Sequence, residues 1–521
     1  MRFEIAFVTL FAVATAVALV ARWVKIPYTI ALVLAGLLLG SAHAFEAPHL
    51  TKELLYAVFL PGLVFEAAFH LEFRKFWQNK VAIHSLAVPG VIASIALTTL
   101  LFYPVARALH FADGLRIEHA LVFAALIAAT DPIAVVALFK SLGAPKRLAV
   151  LIEGESLLND GTAVVLFTLV LAYVNGNSMS IAGAGLDFVR VVGMGTLIGV
   201  AIGFAAAKVI QRVDDPMIEI TLTTIAAYGS FVAAESFHYS GVIATVAAGM
   251  LCGNYAARTG MSPSTQIAVE SFWEYVAFAL NSIVFLLIGF EVRIDMLLHS
   301  FSAILVAYLA VTVGRAGVVY LVTLLLRRSS ERIPWSWAAV LTWGGLRGGL
   351  SMVLALALPQ EFPFRSQLIT ITFGVVILSI LLQGLSMSPL LRWLGVIGAK
   401  EDRTAYEIQR SRIRAKSAAL DELDQLEKTG AVHPEAAQPL REELAAELQQ
   451  AEQAVRNLHI QEAVLQSEEQ HAARRQLLLV EKSTALEAYR RGLISQAALE
   501  HLLADVDARL FRLESREDAE R

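Results

Sequence analysis

Cysteine is almost missing from this sequence: Cys252 stands alone among 521 residues. That excludes an intrachain disulfide, a cysteine-rich metal centre and a dithiol redox pair. Charge is scarce as well. Asp, Glu, Lys and Arg make up 17% of the chain, against about 25% in an ordinary soluble domain. The scarcity is local. Residues 401–521 hold 24 acidic and 17 basic side chains, leaving 22 acidic and 25 basic for residues 1–400. Two parts of the chain therefore meet two kinds of solvent. The net charge of −4 hides that split and says little about partners.

What is abundant is apolar sequence. Hydrophobic residues make up 57% of the chain. A bilayer crossing takes about 20 mostly apolar residues. On that scale thirteen candidate spans lie near 4–23, 26–44, 52–70, 81–109, 117–140, 146–174, 184–211, 217–236, 241–257, 270–290, 298–327, 335–358 and 366–396. Arg2 and the Ala12–Val13–Ala14 run give the first span the look of a secretory leader. The dozen further spans behind it favour a first membrane helix instead. The predicted class is an all-α polytopic membrane protein with a helical tail.

Lys and Arg in the loops set orientation. One set of alternate loops carries fourteen of them, including Arg22, Lys25, Arg74, Lys75, Lys140, Lys146, Arg147 and Arg258. The other set carries five: Lys52, Arg107, Arg116, Arg293 and Arg365. The richer set is expected in the cytoplasm. With an odd number of spans, the N-terminus then faces out and the tail faces in. Trp23, Trp77, Trp335 and Trp393 fall near span ends, where interfacial aromatics belong.

The expected domains are 1–400, in the membrane, and 401–521, a cytoplasmic regulatory or assembly tail. Stretches 401–428 and 438–490 are rich in helix formers. Breaks are expected at Thr429–Gly430, Pro434 and Gly492, with Ser495 capping a last helix. The tail carries no nucleotide or metal motif.

Ionisable residues at mid-membrane are costly and point to function. Asp131, Glu155, Asp160, Arg315 and Arg347 fall near span centres, and Glu66 lies deep in the third. In Thr130–Asp131–Pro132 the proline removes an N–H and disfavours helix geometry at Asp131. The span should unwind there and free carbonyls beside a carboxylate, which suits a bare monovalent cation. In Glu155-Ser-Leu-Leu-Asn-Asp160, Ser156 and Asp160 share a helix face. Asn159 is placed to donate hydrogen bonds to a carboxylate. A carboxylate at that depth holds a proton or a sodium ion, not both, which is the minimum that antiport requires. Gly344-Gly-Leu-Arg-Gly-Gly349 predicts a second broken span. If the two breaks cross, Asp131 neutralises the positive helix ends and Arg347 the negative ones. Each break falls in the second span of a trio, 4–6 and 11–13, which suggests an internal repeat.

Bland readings suit the remaining polar residues. His70, His84, His110 and His119 sit near span ends and read as interfacial. Glu219 and Glu235 read as water-exposed at the ends of the eighth span. Lys208 reads as a snorkelling side chain.

Three motifs together, Ala-Thr130-Asp131-Pro132, Glu155-Ser-Leu-Leu-Asn159-Asp160 and Gly-Gly-Leu-Arg347-Gly-Gly, resemble the sodium/proton exchangers of the cation:proton antiporter superfamily, electroneutral branch. The likeness covers most of residues 1–400. It implies inverted repeats with two broken crossing helices, a homodimer, and a core of spans 4–6 and 11–13 moving against a dimerisation scaffold. It implies exchange of Na+, or of K+ or Li+, for H+ across the plasma membrane, serving intracellular pH and cation balance. By motif, Asp160 is the cation and proton carboxylate, with Asn159 beside it. Asp131, Ser156 and the Thr130 carbonyl complete a site for Na+ at Asp160 and Asp131. Glu155 would pair with Arg315, and Glu66 would lie near the ion path. The Asn-Asp pair suggests one proton per cation. The resemblance implies transport and not enzyme chemistry. No cofactor is implied beyond the transported ions, and no nucleic-acid partner. A K+/H+ antiporter is the nearest alternative reading. A passive channel would need a continuous lined pore, and a signalling receptor would not need these charges at mid-depth.

Overall fold

The computed structural model describes residues 2–24, 27–41, 55–109, 111, 114–176, 180–257, 260–291, 294–397 and 400–456, and scattered positions between 473 and 509. Lys25, Lys52, Arg258, Arg293, His110 and Gly492, and the side chain of Arg22, lie outside the described residues. Among the described residues there is no strand. The chain divides into two compact units, Met1–Ile397 and Gly398–Arg521.

In the first unit the helices are α1 (Arg2–Val24), α2 (Tyr28–Ser41), α3 (Leu60–His70), α4 (Phe73–Gln78), α5 (Lys80–Ala87), α6 (Pro89–Ala108), α7 (Ile117–Leu126), α8 (Ile133–Leu142) and α9 (Lys146–Val174). They continue with α10 (Ile181–Ile210), α11 (Pro216–Ser236), α12 (Gly241–Leu251), α13 (Pro263–Glu291), α14 (Ile294–His299), α15 (Phe301–Leu325), α16 (Trp335–Trp343), α17 (Gly349–Leu356) and α18 (Arg365–Trp393). Seven stretches are long and apolar enough to cross a membrane: Lys80–Ala108, Lys146–Val174, Ala182–Ile210, Pro216–Ser236, Thr265–Phe290, Phe301–Arg328 and Arg365–Trp393. The first of these runs through α5 and α6. Shorter apolar helices lie beside them, as at Tyr28–Ser41 and Tyr56–His70. The chain is a multi-pass membrane protein.

Helix starts follow local chemistry. Ser180 Oγ accepts from the Gly183 N–H at 3.0 Å, and Ser240 Oγ from Ile243 at 3.3 Å. Asp215 Oδ1 accepts from Met217 and Ile218, at 2.8 and 3.1 Å. Each such cap is worth about 1 kcal/mol. Proline opens α6 and α11, where its missing N–H costs nothing.

Burial sorts the long helices. The Arg365–Trp393 helix is the most enclosed of the seven and Ala182–Ile210 the least. Trp23, Trp77, Trp335 and Trp393 are all exposed. Lys208 lays its ammonium over the Phe204 ring, 5.4 Å from the centroid. Glu219 departs from expectation: it is buried, and among the described residues neither carboxylate oxygen has a hydrogen-bond partner. The reason is position, since it sits one turn into α11, facing inward as Thr223 does a turn later. Glu235 is partly buried, and its Oε1 accepts from the Gly241 N–H at 3.0 Å.

The second unit begins with a helical hairpin, α19 (Lys400–Lys428) and α20 (Pro434–Arg456). Gly430 makes the turn in the left-handed region, φ 75°. Pro434, expected as a break, instead starts α20, because proline fits the first helical turn. Arg441 bridges Asp424 and Glu427 at 2.7 and 2.6 Å, and Lys416 pairs with Glu447. Further on, the Ala498 N–H donates to Ser495 Oγ at 3.3 Å.

Candidate ion-binding site

The site is built where two spans lose their helix. The fifth stops at Leu126 and resumes at Ile133; the twelfth stops at Trp343 and resumes at Gly349. Both gaps are where the proline and glycine patterns put them. The two unwound segments are stitched together: the Asp131 N–H donates to the Leu346 carbonyl at 2.8 Å. Gly348 touches Asp131 so closely that an added Cβ would lie 2.3 Å from Asp131 Cβ and Oδ2.

The helix ends at this crossing carry partial charges that need partners. Arg347, only 3% exposed, donates from Nη1 to the carbonyls of Ile127, Ala128 and Ala129, at 2.5, 2.7 and 3.2 Å. It thereby answers the negative end of α7. Asp131 Oδ1 accepts from the Ile133 N–H at 3.0 Å, at the positive end of α8. The Arg347 N–H in turn donates to Ser379 Oγ at 3.1 Å.

Beside the crossing runs α9. Thr130, Asp131, Ser156 and Asp160 line one cavity of about 130 Å³, with Glu66 of α3 also on its wall. The Ser156 hydroxyl donates to the Thr130 carbonyl. The residues lining one space thus carry hydroxyls, a backbone carbonyl and two carboxylates, a donor set that suits a hard monovalent cation.

The other predicted residues stand behind that wall. Glu155, 2% exposed, is held by Arg315 Nη1 and Nη2 at 3.1 and 2.9 Å. Arg315 also donates from Nε and Nη2 to the Leu341 carbonyl, at 3.1 and 2.8 Å. Gly345 makes room, since a Cβ there would lie 2.0 Å from Arg315 Nε. Asn159 does not donate to a carboxylate as expected. Its Nδ2 donates to the Ala128 carbonyl at 3.3 Å and Thr130 Oγ1 at 2.9 Å. One residue is about 100° of helix rotation, so Asn159 points at the unwound backbone while Asp160 points at the cavity.

Three residues of the site escaped the sequence reading. Glu153 lines the cavity with Asp160; its signal was the two-turn spacing on one face. Asn281 reaches the same cavity from α13, and Ser379 supports Arg347. Neither has a signal in its local sequence. Of the histidines, His70 pairs with Glu66, Nδ1 to Oε1 3.2 Å, and His119 is buried beside Phe362 and Phe364.

Interrupted helices crossing beside two carboxylates that line one cavity define the architecture of a secondary transporter. Residues 8–393 match the family described as sodium/hydrogen exchanger, transmembrane, and the chain belongs to that family. It is 37% identical to the low-affinity Na+/H+ antiporter NhaS1 of Synechocystis sp. over 478 residues, 91% of this chain and 89% of that protein. It is 37% identical to the Na+/H+ antiporter NhaH of Halobacillus dabanensis, across 97% of that protein but 74% of this chain. The solved structure of the sodium proton antiporter MjNhaP1 from Methanocaldococcus jannaschii shares the fold, with a TM-score of 0.61 at 18% identity, covering 77% of this chain and 99% of that one.

Proposed function

We propose that the chain exchanges Na+ for H+ across the plasma membrane by alternating access around Asp160, serving intracellular pH and cation balance. The observation that carries this reading is the single cavity shared by Asp131, Asp160, Ser156 and Thr130 at the crossing of two unwound segments. The relatives named as Na+/H+ antiporters support the choice of ions.

The chemistry is a competition. A cation entering the cavity exchanges part of its hydration shell for the Ser156 hydroxyl, the Thr130 carbonyl and the Asp131 and Asp160 carboxylates. A proton on Asp160 removes the charge that holds the cation. Each form crosses, and neither crosses with both. With Asn at 159, one exchanging carboxylate supports one proton per cation. Asp131, already bonded to Ile133, keeps the helix end neutral while Asp160 changes partner. Asn159, Arg347 and the Glu155–Arg315 pair keep the unwound backbone in place.

In this reading there are about thirteen spans, with inverted repeats among them. Spans 4–6 and 11–13 make a core that moves against the scaffold of a homodimer. The N-terminus lies outside and the tail is cytoplasmic. Seven long apolar helices and the shorter ones between them leave room for that count, and the loop-charge bias supports the orientation.

The test is full-length protein in vesicles loaded with a pH-sensitive dye. Addition of NaCl, LiCl and KCl in turn ranks the cations, and a K+ response exceeding Na+ would turn the reading to a K+/H+ antiporter. Asp160→Asn keeps size and removes charge. It should abolish exchange with all three while the protein stays folded. Sodium-driven proton flux at the normal rate in that variant would sink the assignment.

A further inference from the structure

Glu153 is a carboxylate inside the cavity to which the exchange reading gives no task. It lies on α9, seven residues before Asp160, with Ser156 and Leu157 between them on the same face. All four line the cavity, and so does Glu66, which comes from α3. Much of the wall around them is apolar, including Leu60, Leu63 and Val64. Among the described residues Glu153 makes no hydrogen bond or ion pair. The charges within electrostatic reach of it are Lys140, Glu66, His70 and Glu72. Of these, Glu66 and His70 are already paired with each other, and Glu72 with Lys75 at 2.9 Å.

A carboxylate kept only for stability at this depth would have a tight partner, as Glu155 has in Arg315, because an unpaired one is costly. Glu153 has none, and it shares the cavity with Asp160, which lies two turns further along α9. Two carboxylates lining one cavity, Glu153 on α9 and Glu66 on α3, attract a cation into that space and replace part of its lost hydration.

We propose that Glu153 is a positioning residue for antiport, one that sets how readily a monovalent cation entering the cavity reaches Asp160. It acts on the approach of the ion and not on the exchange step. Lys140, within reach of the same carboxylate, moderates that attraction. The inference rests on the exchange reading above.

The experiment uses full-length protein in vesicles, with proton flux measured against Na+ concentration at fixed pH. Glu153→Gln should raise the half-saturating Na+ concentration about three- to tenfold, with the maximal rate kept within about twofold. Its melting temperature should match that of the parent. The shift should shrink as choline chloride is added, since salt screens a guiding charge. Glu153→Asp should recover most of the loss. An unmoved half-saturating concentration overturns the proposal. So does a fall in maximal rate or melting temperature with the half-saturating concentration unchanged, which is the mark of a structural residue. Asp160→Asn in the same vesicles separates the two levels. If it is inactive while Glu153→Gln behaves as the parent, this inference alone fails. If it still exchanges, the functional reading fails with it.

Discussion

Arg315 holds Glu155 through both terminal nitrogens, at 3.1 and 2.9 Å, and the same guanidinium donates to the Leu341 carbonyl. One side chain of α15 therefore ties α9 to the last turn of α16, just before the second interruption. Removing one partner of such a buried pair leaves the other charged and alone, at a cost of about 3–5 kcal/mol. Arg315→Ala should lower melting temperature and expression more than it alters cation affinity. Lysine cannot reproduce the fork, so Arg315→Lys should fall between the two. A stable, well-expressed Arg315→Ala protein would mean that Arg347 carries the charge of Glu155.

Gly348 offers a sharper steric test. Its backbone is extended, φ −130° and ψ −159°, so the demand for glycine comes from contact and not from torsion. A Cβ there would meet Asp131 at 2.3 Å, and both residues line the cavity. Gly348→Ala must push Asp131 or part the two unwound segments. Exchange should fall about ten- to a hundredfold, since small displacements of a reacting group cost that much. Gly193→Ala, on α10 with nothing within 4 Å of the new carbon, should behave as the parent. Equal flux in both variants would remove Asp131 from the ion's surroundings.

The breaks were legible because proline and clustered glycine act locally. Pro132 denies a hydrogen bond wherever the rest of the chain goes, and four glycines in six residues weaken any helix. The charge logic carried over as well: Arg347 was expected at a negative helix end, and it lies on three carbonyls. What failed was orientation within a helix. Asn159 and Asp160 are neighbours in sequence but point to different sides of α9, one to backbone and one to the cavity. Glu219 read as exposed because its span ends nearby, yet tertiary packing closes over it. Asn281 and Ser379 come from helices distant in sequence, so only the folded chain brings them to the site.

Asn159 also makes a prediction of its own. Its amide holds the Ala128 carbonyl and the Thr130 hydroxyl, both in the unwound stretch. Asn159→Ala leaves those groups without that donor, at a cost of about 1–3 kcal/mol. The Thr130 carbonyl should then be less well held, so melting temperature should drop and half-saturating Na+ concentration should rise together. A variant that melts as the parent does, with normal Na+ dependence, would make the amide a bystander.

The last prediction concerns the chain beyond the transport unit. The relative from Halobacillus dabanensis matches over 97% of its own length while leaving part of this chain unmatched, and the family match ends at residue 393. The second unit is built differently, as a charged helical hairpin with Arg441 spanning Asp424 and Glu427. Truncation after residue 399 keeps all of α18, including Arg392. Exchange should be retained, with its pH profile shifted. The tail follows α18 in sequence, and the proposed mechanism places α18 in the moving core. A contribution that differs by about 1–3 kcal/mol between inward- and outward-facing states is enough to move the profile. Proton flux in vesicles across a pH series, full-length beside truncated, measures it. Identical profiles would reduce the tail to an assembly or stability element. A folded truncation without flux would make the tail part of the transport machinery.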